Sequence, residues 1–393
     1  MSIKKRHIIK LLFKSRKGMM QAKKYNKRAK EFWKNKNEEL INEIMEIIDY
    51  SSDLELVKIS KDFVKRTGFT QMNCSVSDVN DLKKIMKVFG KDVVIPDFVN
   101  YGTRTGFLTV VIAPALAAVE ALGDVNESSI EEWLYGIGVC LPVAADICDS
   151  VLDEEIMRHT LIPYRIWIIC HKLGAAIIFR IGLNHAKKIE TGDKKLDKKI
   201  IDRLFQGIKK VCEKQMIDCE AKESHYVPVK KLDEIYDGKV CEIEATVFGT
   251  LPSKKSKIVR TFEEGARYFA GELQIADDFE DLIGDTNLQK LPEIPNPSFF
   301  LTYSIDLWKS GKRDVKKIMN EAAKKTLERG KEYHKSVVDA FDRLPKKFKT
   351  KPFFEVTLWY YNKVLNERFK EFSKGKTHST LRLQLLKTFN QFK

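Results

Sequence analysis

Apolar residues recur three and four positions apart over most of this chain, and alternating, strand-like runs are scarce. Ile41, Ile44, Met45 and Ile48 follow that spacing, as do residues 107–122, 133–157 and 200–216. A period of 3.6 residues puts such side chains on one helix face, which must be buried against a neighbour. Breakers separate these stretches: Gly123, a capping region from Asn126 to Ser129, Gly192-Asp193, Pro228, Pro252-Ser253, Gly284-Asp285, and Pro292 to Pro297. Segment 185–199 is polar and lysine-rich, and reads as an exposed loop or a fraying helix end. No internal repeat, low-complexity tract or clear boundary follows residue 37. The expected architecture is all-α, with a basic segment over residues 1–36 and a single all-α domain over 37–393.

Composition excludes several classes. Hydrophobic residues make up 43% and charged residues 32%, which supplies a core and excludes a disordered polymer. The longest nearly apolar run, Phe107–Val119, contains Pro114 and stops at Glu120. It is shorter than the ~18–20 residues of a membrane span. Apolar clusters near the start are short and broken by lysines, so no cleavable signal peptide is expected. Seven cysteines without a CxxC pair point to a reducing compartment, the cytoplasm, rather than to disulfides or zinc.

The net charge of +15 is unevenly spread. Residues 1–36 carry fourteen Lys and Arg against Glu31 alone, so +13 lies there and the rest is nearly neutral. Ile8, Ile9, Leu11, Leu12, Phe13, Met19 and Met20 are interspersed among those cations. That mixture fits an interfacial helix drawn to anionic lipid, and it fits equally a solvated basic tail. No nucleic-acid-binding module accompanies it, and no nucleic-acid partner is expected.

Two segments carry chemistry. Asp149 and Asp153 are four apart within an apolar helix, and so are Asp277 and Asp281. Each pair projects from one helix face. Both lie in surroundings that read as buried, where unpaired charges would be costly. A hard divalent cation, with oxygen ligands and open positions for phosphate oxygens, resolves that cost.

These residues resemble the trans-isoprenyl diphosphate synthases (polyprenyl synthetases), of the class I isoprenoid synthase superfamily, over roughly residues 101–290. Tyr101 to Gly106 resembles the glycine-lysine-arginine motif. Asp149 to Asp153 with Arg158-His159 resembles the first aspartate-rich motif and its arginine pair. Lys214-Gln215 to Asp218 resembles the Gly-Gln-x-x-Asp helix, and Val227-Pro228 leads to Lys239 of the lysine-threonine motif. Gln274 to Asp281, then Gly284-Asp285 and Lys290, resembles the second aspartate-rich motif. The resemblance implies a helical bundle around a central cavity. It implies three Mg²⁺ ions held by Asp149, Asp153 and Asp277, with Asp281 alongside. It also implies an allylic isoprenoid diphosphate substrate bound by Arg158, Lys239, Gln274 and Lys290, and a homodimer. Catalysis would fall to Asp149, Asp153, Asp277, Arg158 and Lys239.

The departures from the family pattern are concentrated. Ser150 replaces an aspartate that points off the ligand face, and Val240 replaces the threonine. The positions that would hold a second diphosphate, isopentenyl diphosphate, are Thr103, Gly106, Pro142 and His159. Losing fixed cations there weakens binding of a second anion. The expected activity is therefore Mg²⁺-dependent ionisation of a long allylic diphosphate to a cyclic or linear terpene. The alternatives are a chain-elongating prenyltransferase and, against the retained aspartates, a non-catalytic subunit of a heteromeric synthase. Ala144 and Ala145, one turn before Asp149, and Gln215 are the candidate cavity residues, and the small alanines suit a long substrate tail. His159 and His225 are isolated histidines and are read as structural.

Overall fold

The structure is a computed structural model that describes residues 3–91, 94–95, 99, 111–152, 164–224, 226–284, 291–345 and 347–392. Among these residues every regular element is helical, as the periodicity requires. The chain forms two compact units, each assembled from separated stretches of sequence. Residues 1–212 and 246–259 make the first, and residues 213–245 and 260–393 the second. Because each unit is discontinuous, no shift in composition along the chain marks it.

In the first unit the helices are α1 (Ile3–Tyr50), α2 (Asp53–Thr67), α3 (Val76–Phe89), α4 (Ala113–Leu122), α5 (Glu127–Tyr135), α6 (Leu141–Leu152) and α7 (Tyr164–Ala186). The start of α8 (Lys194–Ser224) also belongs to it. Local chemistry sets the helix starts. Ser52 and Glu55 form a reciprocal capping box on α2, Ser75 and Asp78 do the same on α3, and the Asn126 side chain accepts from Ser129 N at 2.6 Å on α5. A π-helical turn over Gly136–Cys140 joins α5 to α6.

Helix α7 is the centre of this unit, packing on α1, α2, α3, α5, α6 and the π-helical turn. It is long and apolar enough to cross a membrane, with Lys172 and Arg180 breaking its apolar sequence, yet most of it is buried within the fold as a core helix. Gly182 lets it touch the π-helical turn: a Cβ there would lie 2.8 Å from the Gly136 carbonyl oxygen, and one on Gly136 would lie 2.8 Å from that of Gly182. Helix α1 runs through residues 36 and 37 without a break, and Tyr25 and Ala29 are fully buried. The basic segment and the residues after it thus share one helix, and from Gly18 onward its inner face is part of the core.

The second unit contains the end of α8, α9 (Val229–Gly238), the start of α10 (Val240–Gly249), most of α11 (Ser256–Ile283), α12 (Phe299–Lys309), α13 (Val315–Asp342), α14 (Lys351–Ser373) and α15 (His378–Phe389). Ile235, Ile275, Phe279, Phe299, Phe300 and Leu365 are among the fully enclosed side chains of its core. Gly271 on α11 faces the Tyr333 ring, with a hypothetical Cβ only 2.6 Å from it, so α11 and α13 meet at the distance a glycine allows. Gly284, at φ +71°, ends α11 in the left-handed conformation.

One polar junction ties three helices of the first unit. His185, at the end of α7, has Nδ1 2.6 Å from Glu132 of α5 and Nε2 3.4 Å from Glu43 of α1. The Tyr135 hydroxyl donates to the same Glu43 at 3.1 Å. Burial pulls the imidazole pKa down, but the bonds to Glu43 and Glu132 outweigh it and hold the pKa above its usual value. A group whose pKa is raised on folding contributes fully below its unfolded value of about 6.5, and the contribution fades as pH climbs through the raised value. His185→Ala is therefore expected to lower stability by about 1–3 kcal/mol at pH below ~6 and by less at pH above ~8. Thermal melts across that range measure the difference.

Candidate active site

In the first unit, the sequence-predicted residues that the structure describes are Asp149, Ala144 and Ala145, all on α6. Asp149 is half-buried, Ala144 is packed into the core, and Ala145 is half-buried. Pro142 at the head of the same helix is buried. The Cys148 thiol beside them is pushed up by burial and further by the charges of Asp149 and Asp146. Asp153, Arg158, His159, Thr103 and Gly106 lie outside the described residues, as do His225 and Lys290.

The second unit holds the rest. Helix α9 stops at Gly238, where a Cβ would fall 2.1 Å from Lys214 Cγ, so α9 presses directly on α8. Lys239 follows with φ −94° and ψ −93°, outside the helical region, and the chain changes direction there before α10 begins. Its ammonium reaches Asp218 of α8 at 2.9 Å, and Lys222 approaches the same carboxylate at 3.9 Å. Asp218 is buried, and so is Gln215 one turn earlier. The Gly-Gln-x-x-Asp resemblance and the lysine after Pro228, which lie 21 residues apart, are thus joined in one ion pair.

Helix α11 separates its aspartates by face. Asp277 is exposed and Asp281 half-buried, one turn apart on the outer side, while Asp278 is buried. The Tyr236 hydroxyl donates to Asp278 at 2.5 Å, and the Gln274 amide donates to it at 3.2 Å. Burial pushes the Asp278 carboxyl up to about 7; the bonds from Tyr236 and Gln274 oppose the rise, and the charges of Asp277 and Asp281 add to it. The expectation that Asp277 is a buried charge in need of a metal is corrected here. The buried aspartate is its neighbour, and hydrogen bonds with partial protonation satisfy it.

Sequence reasoning missed several residues. Asp278 and Tyr236 left a faint trace, since Gln274, Asp278 and Leu282 follow the buried register of α11. Arg368 on α14 left none: it pairs with Glu280, donates to the Ala276 carbonyl at 3.3 Å, and feels the charge of Asp277. Glu244 on α10 is a further buried carboxyl, pushed up to about 8 by burial. Among the described residues, three potential metal ligands converge within 4.8 Å at Glu39, Glu43 and His185. Lys36 pairs with Glu39 there at 2.6 Å, and His185 lies 3.4 Å from Glu43, so both carboxylates already have partners.

The donor set on α11 fits a hard cation. Asp277 and Asp281 offer carboxylate oxygens, and α11 itself carries no cysteine or histidine, which is the chemistry Mg²⁺ prefers. Tyr236→Phe is expected to leave Asp278 with a buried, under-bonded carboxyl and to lower stability by about 1–3 kcal/mol. Urea unfolding of the two proteins measures it.

No family model and no curated protein sequence matches this chain. Solved structures do. The geranylgeranyl pyrophosphate synthetase of Pyrococcus horikoshii Ot3 is 16% identical, with a TM-score of 0.57, over 86% of this chain and 98% of that one. The geranylgeranyl pyrophosphate synthetase of the archaeon Geoglobus acetivorans is 14% identical, with a TM-score of 0.52, over 85% and 98%. The heptaprenyl diphosphate synthase of Staphylococcus aureus is 12% identical, with a TM-score of 0.51, over 80% and 98%. At this identity the likeness is one of fold: the chain has the all-α fold of the isoprenyl diphosphate synthases.

Proposed function

We propose that the protein is a Mg²⁺-dependent enzyme acting on allylic isoprenoid diphosphates, and that its reaction is chain-elongating prenyl transfer. The observation that carries the reading is the pairing of an accessible Asp277–Asp281 face with the Lys239–Asp218 junction, on a fold whose solved examples are geranylgeranyl and heptaprenyl diphosphate synthases. This choice replaces the terpene-forming expectation as the leading reading, because the solved structures named above are prenyl-chain synthases.

Bound Mg²⁺ would supply charge neutralisation of the diphosphate as it leaves. Asp149, Asp153, Asp277 and Asp281 are the residues proposed to hold it. Arg158, Lys239, Gln274 and Lys290 would bind the diphosphate oxygens as fixed donors. Asp218 keeps the Lys239 ammonium oriented and charged, and Asp278 holds the Gln274 amide in place. Gln215, Ala144 and Ala145 would line the space for the isoprenoid chain. A homodimer in the cytoplasm belongs to the same proposal.

One observation favours a second reading, ionisation of the allylic diphosphate without condensation. Thr103, Gly106, Pro142 and His159 stand where cations or a polar residue would hold isopentenyl diphosphate, and Pro142 is buried. A proline has no donor to offer an anion.

Purified protein supplied with geranylgeranyl diphosphate and Mg²⁺, with and without isopentenyl diphosphate, separates the two. A longer diphosphate formed only with isopentenyl diphosphate supports chain elongation; hydrocarbon formed from the allylic substrate alone sinks it and supports the second reading. Asp277→Ala is expected to lower turnover on the order of a hundredfold or more, because it removes one metal-facing carboxylate. Steady-state assays over a Mg²⁺ titration check this.

A further inference from the structure

Much of the charge in residues 1–36 points outward along one row of α1. The helix is seated on the first unit by Tyr25, Ala29, Leu40 and Ile44, all fully buried. Lys24 and Arg28 are tied to Glu120 of α4 at 2.8 and 2.9 Å, and Lys36 to Glu39 and Glu131 at 2.6 Å each. Arg16, Lys17, Lys23, Lys27, Lys30 and Lys34 are exposed, and the one acid interspersed among them is Glu31, 3.7 Å from Lys27. Lys23, Lys27, Lys30 and Lys34 advance by four, three and four residues. They therefore form a row on the side of α1 opposite Tyr25 and Ala29.

Met19 and Met20 head this row, 51% and 66% exposed. Continuing the same steps toward the start of the helix brings Ile8, Ile9, Leu12 and Phe13 into the register of Arg16, Met19 and Met20. From Arg16 onward the side left uncovered is thus largely cationic, and its continuation through residues 8–13 is apolar in sequence.

We propose that this row docks the protein on an anionic membrane surface, with the lysines against lipid headgroups and Met19 and Met20 in the interfacial layer. Lysines near an anionic leaflet contribute cumulatively, and a neighbouring apolar stripe adds burial that charge alone does not give. A nucleic acid would use the cations but leave the methionines without a role. The docking stands apart from the proposed chemistry, since it is read by binding and not by turnover.

The test uses the full chain in co-sedimentation with vesicles of phosphatidylcholine alone or mixed with phosphatidylserine. Binding to the mixed vesicles only, weakened by salt as the Debye length shortens from about 10 Å at 0.1 M to about 3 Å at 1 M, is the expected result. Replacing Lys23, Lys27, Lys30 and Lys34 by Gln is expected to lower partitioning on the order of a hundredfold or more. Met19→Gln with Met20→Gln should weaken binding while leaving its salt dependence. All six positions are exposed, and unchanged melting curves verify the fold. Neutralising Lys324, Lys331, Lys335 and Lys370, which are exposed on the second unit, supplies a charge-matched control that keeps binding. The proposal is overturned if the control loses as much as the row variant. It is equally overturned if phosphatidylcholine alone binds as well, or if single-stranded RNA is retained and the mixed vesicles fail to displace it.

Discussion

The hydrogen bonds from Tyr236 and Gln274 to the buried Asp278 fix the rotational setting of α11. A carboxyl enclosed in a core is tolerated only if donors reach it, so α11 has one setting in which Asp278 meets both partners. That setting turns Asp277 and Asp281 outward together, because residues at i−1 and i+3 from a buried position lie on a common side. It also fastens α9 to α11, and α9 carries Gly238 and Lys239 to their contacts with Lys214 and Asp218 on α8. The Asp277–Asp281 face and the Lys239–Asp218 ion pair of the second unit therefore share one buried support.

The first unit is organised around an apolar helix instead. Helix α7 packs on five other helices and approaches the π-helical turn through the Gly136–Gly182 contact. Its end is pinned by His185 between Glu132 and Glu43. With the inner face of α1 used to cover this core, Lys23, Lys27, Lys30 and Lys34 fall on its outward side. Its cationic row follows from packing, since the positions opposite Tyr25 and Ala29 contribute nothing to the unit's interior.

The helical class was legible because apolar spacing of three and four is a local property, and so was the helix start capped by Asn126. The shared outward side of Asp277 and Asp281 was legible for the same reason, as a pair spaced by four. Which aspartate of a run is buried was not legible: Asp277, Asp278 and Asp281 are chemically alike, and only the partner Tyr236, 42 residues earlier, distinguishes Asp278. Arg368 was invisible because nothing near it in sequence marks a site, and its neighbours on α11 are some 90 positions away. The two units escaped notice because each is stitched from distant segments.

By itself, then, the sequence determined the all-α class, the helix caps, the pairing of carboxylates on single helix faces and the concentration of charge at the start of the chain. Each depends on spacing within a dozen residues, which a helical backbone converts directly into a face. Tertiary structure alone decided that Asp278 is the enclosed acid, that Lys239 meets Asp218, that Arg368 reaches α11, and that Lys23, Lys27, Lys30 and Lys34 form an outward row. Those outcomes depend on which faces are buried against which, a choice made by packing and by the need to satisfy enclosed polar groups across long separations in sequence.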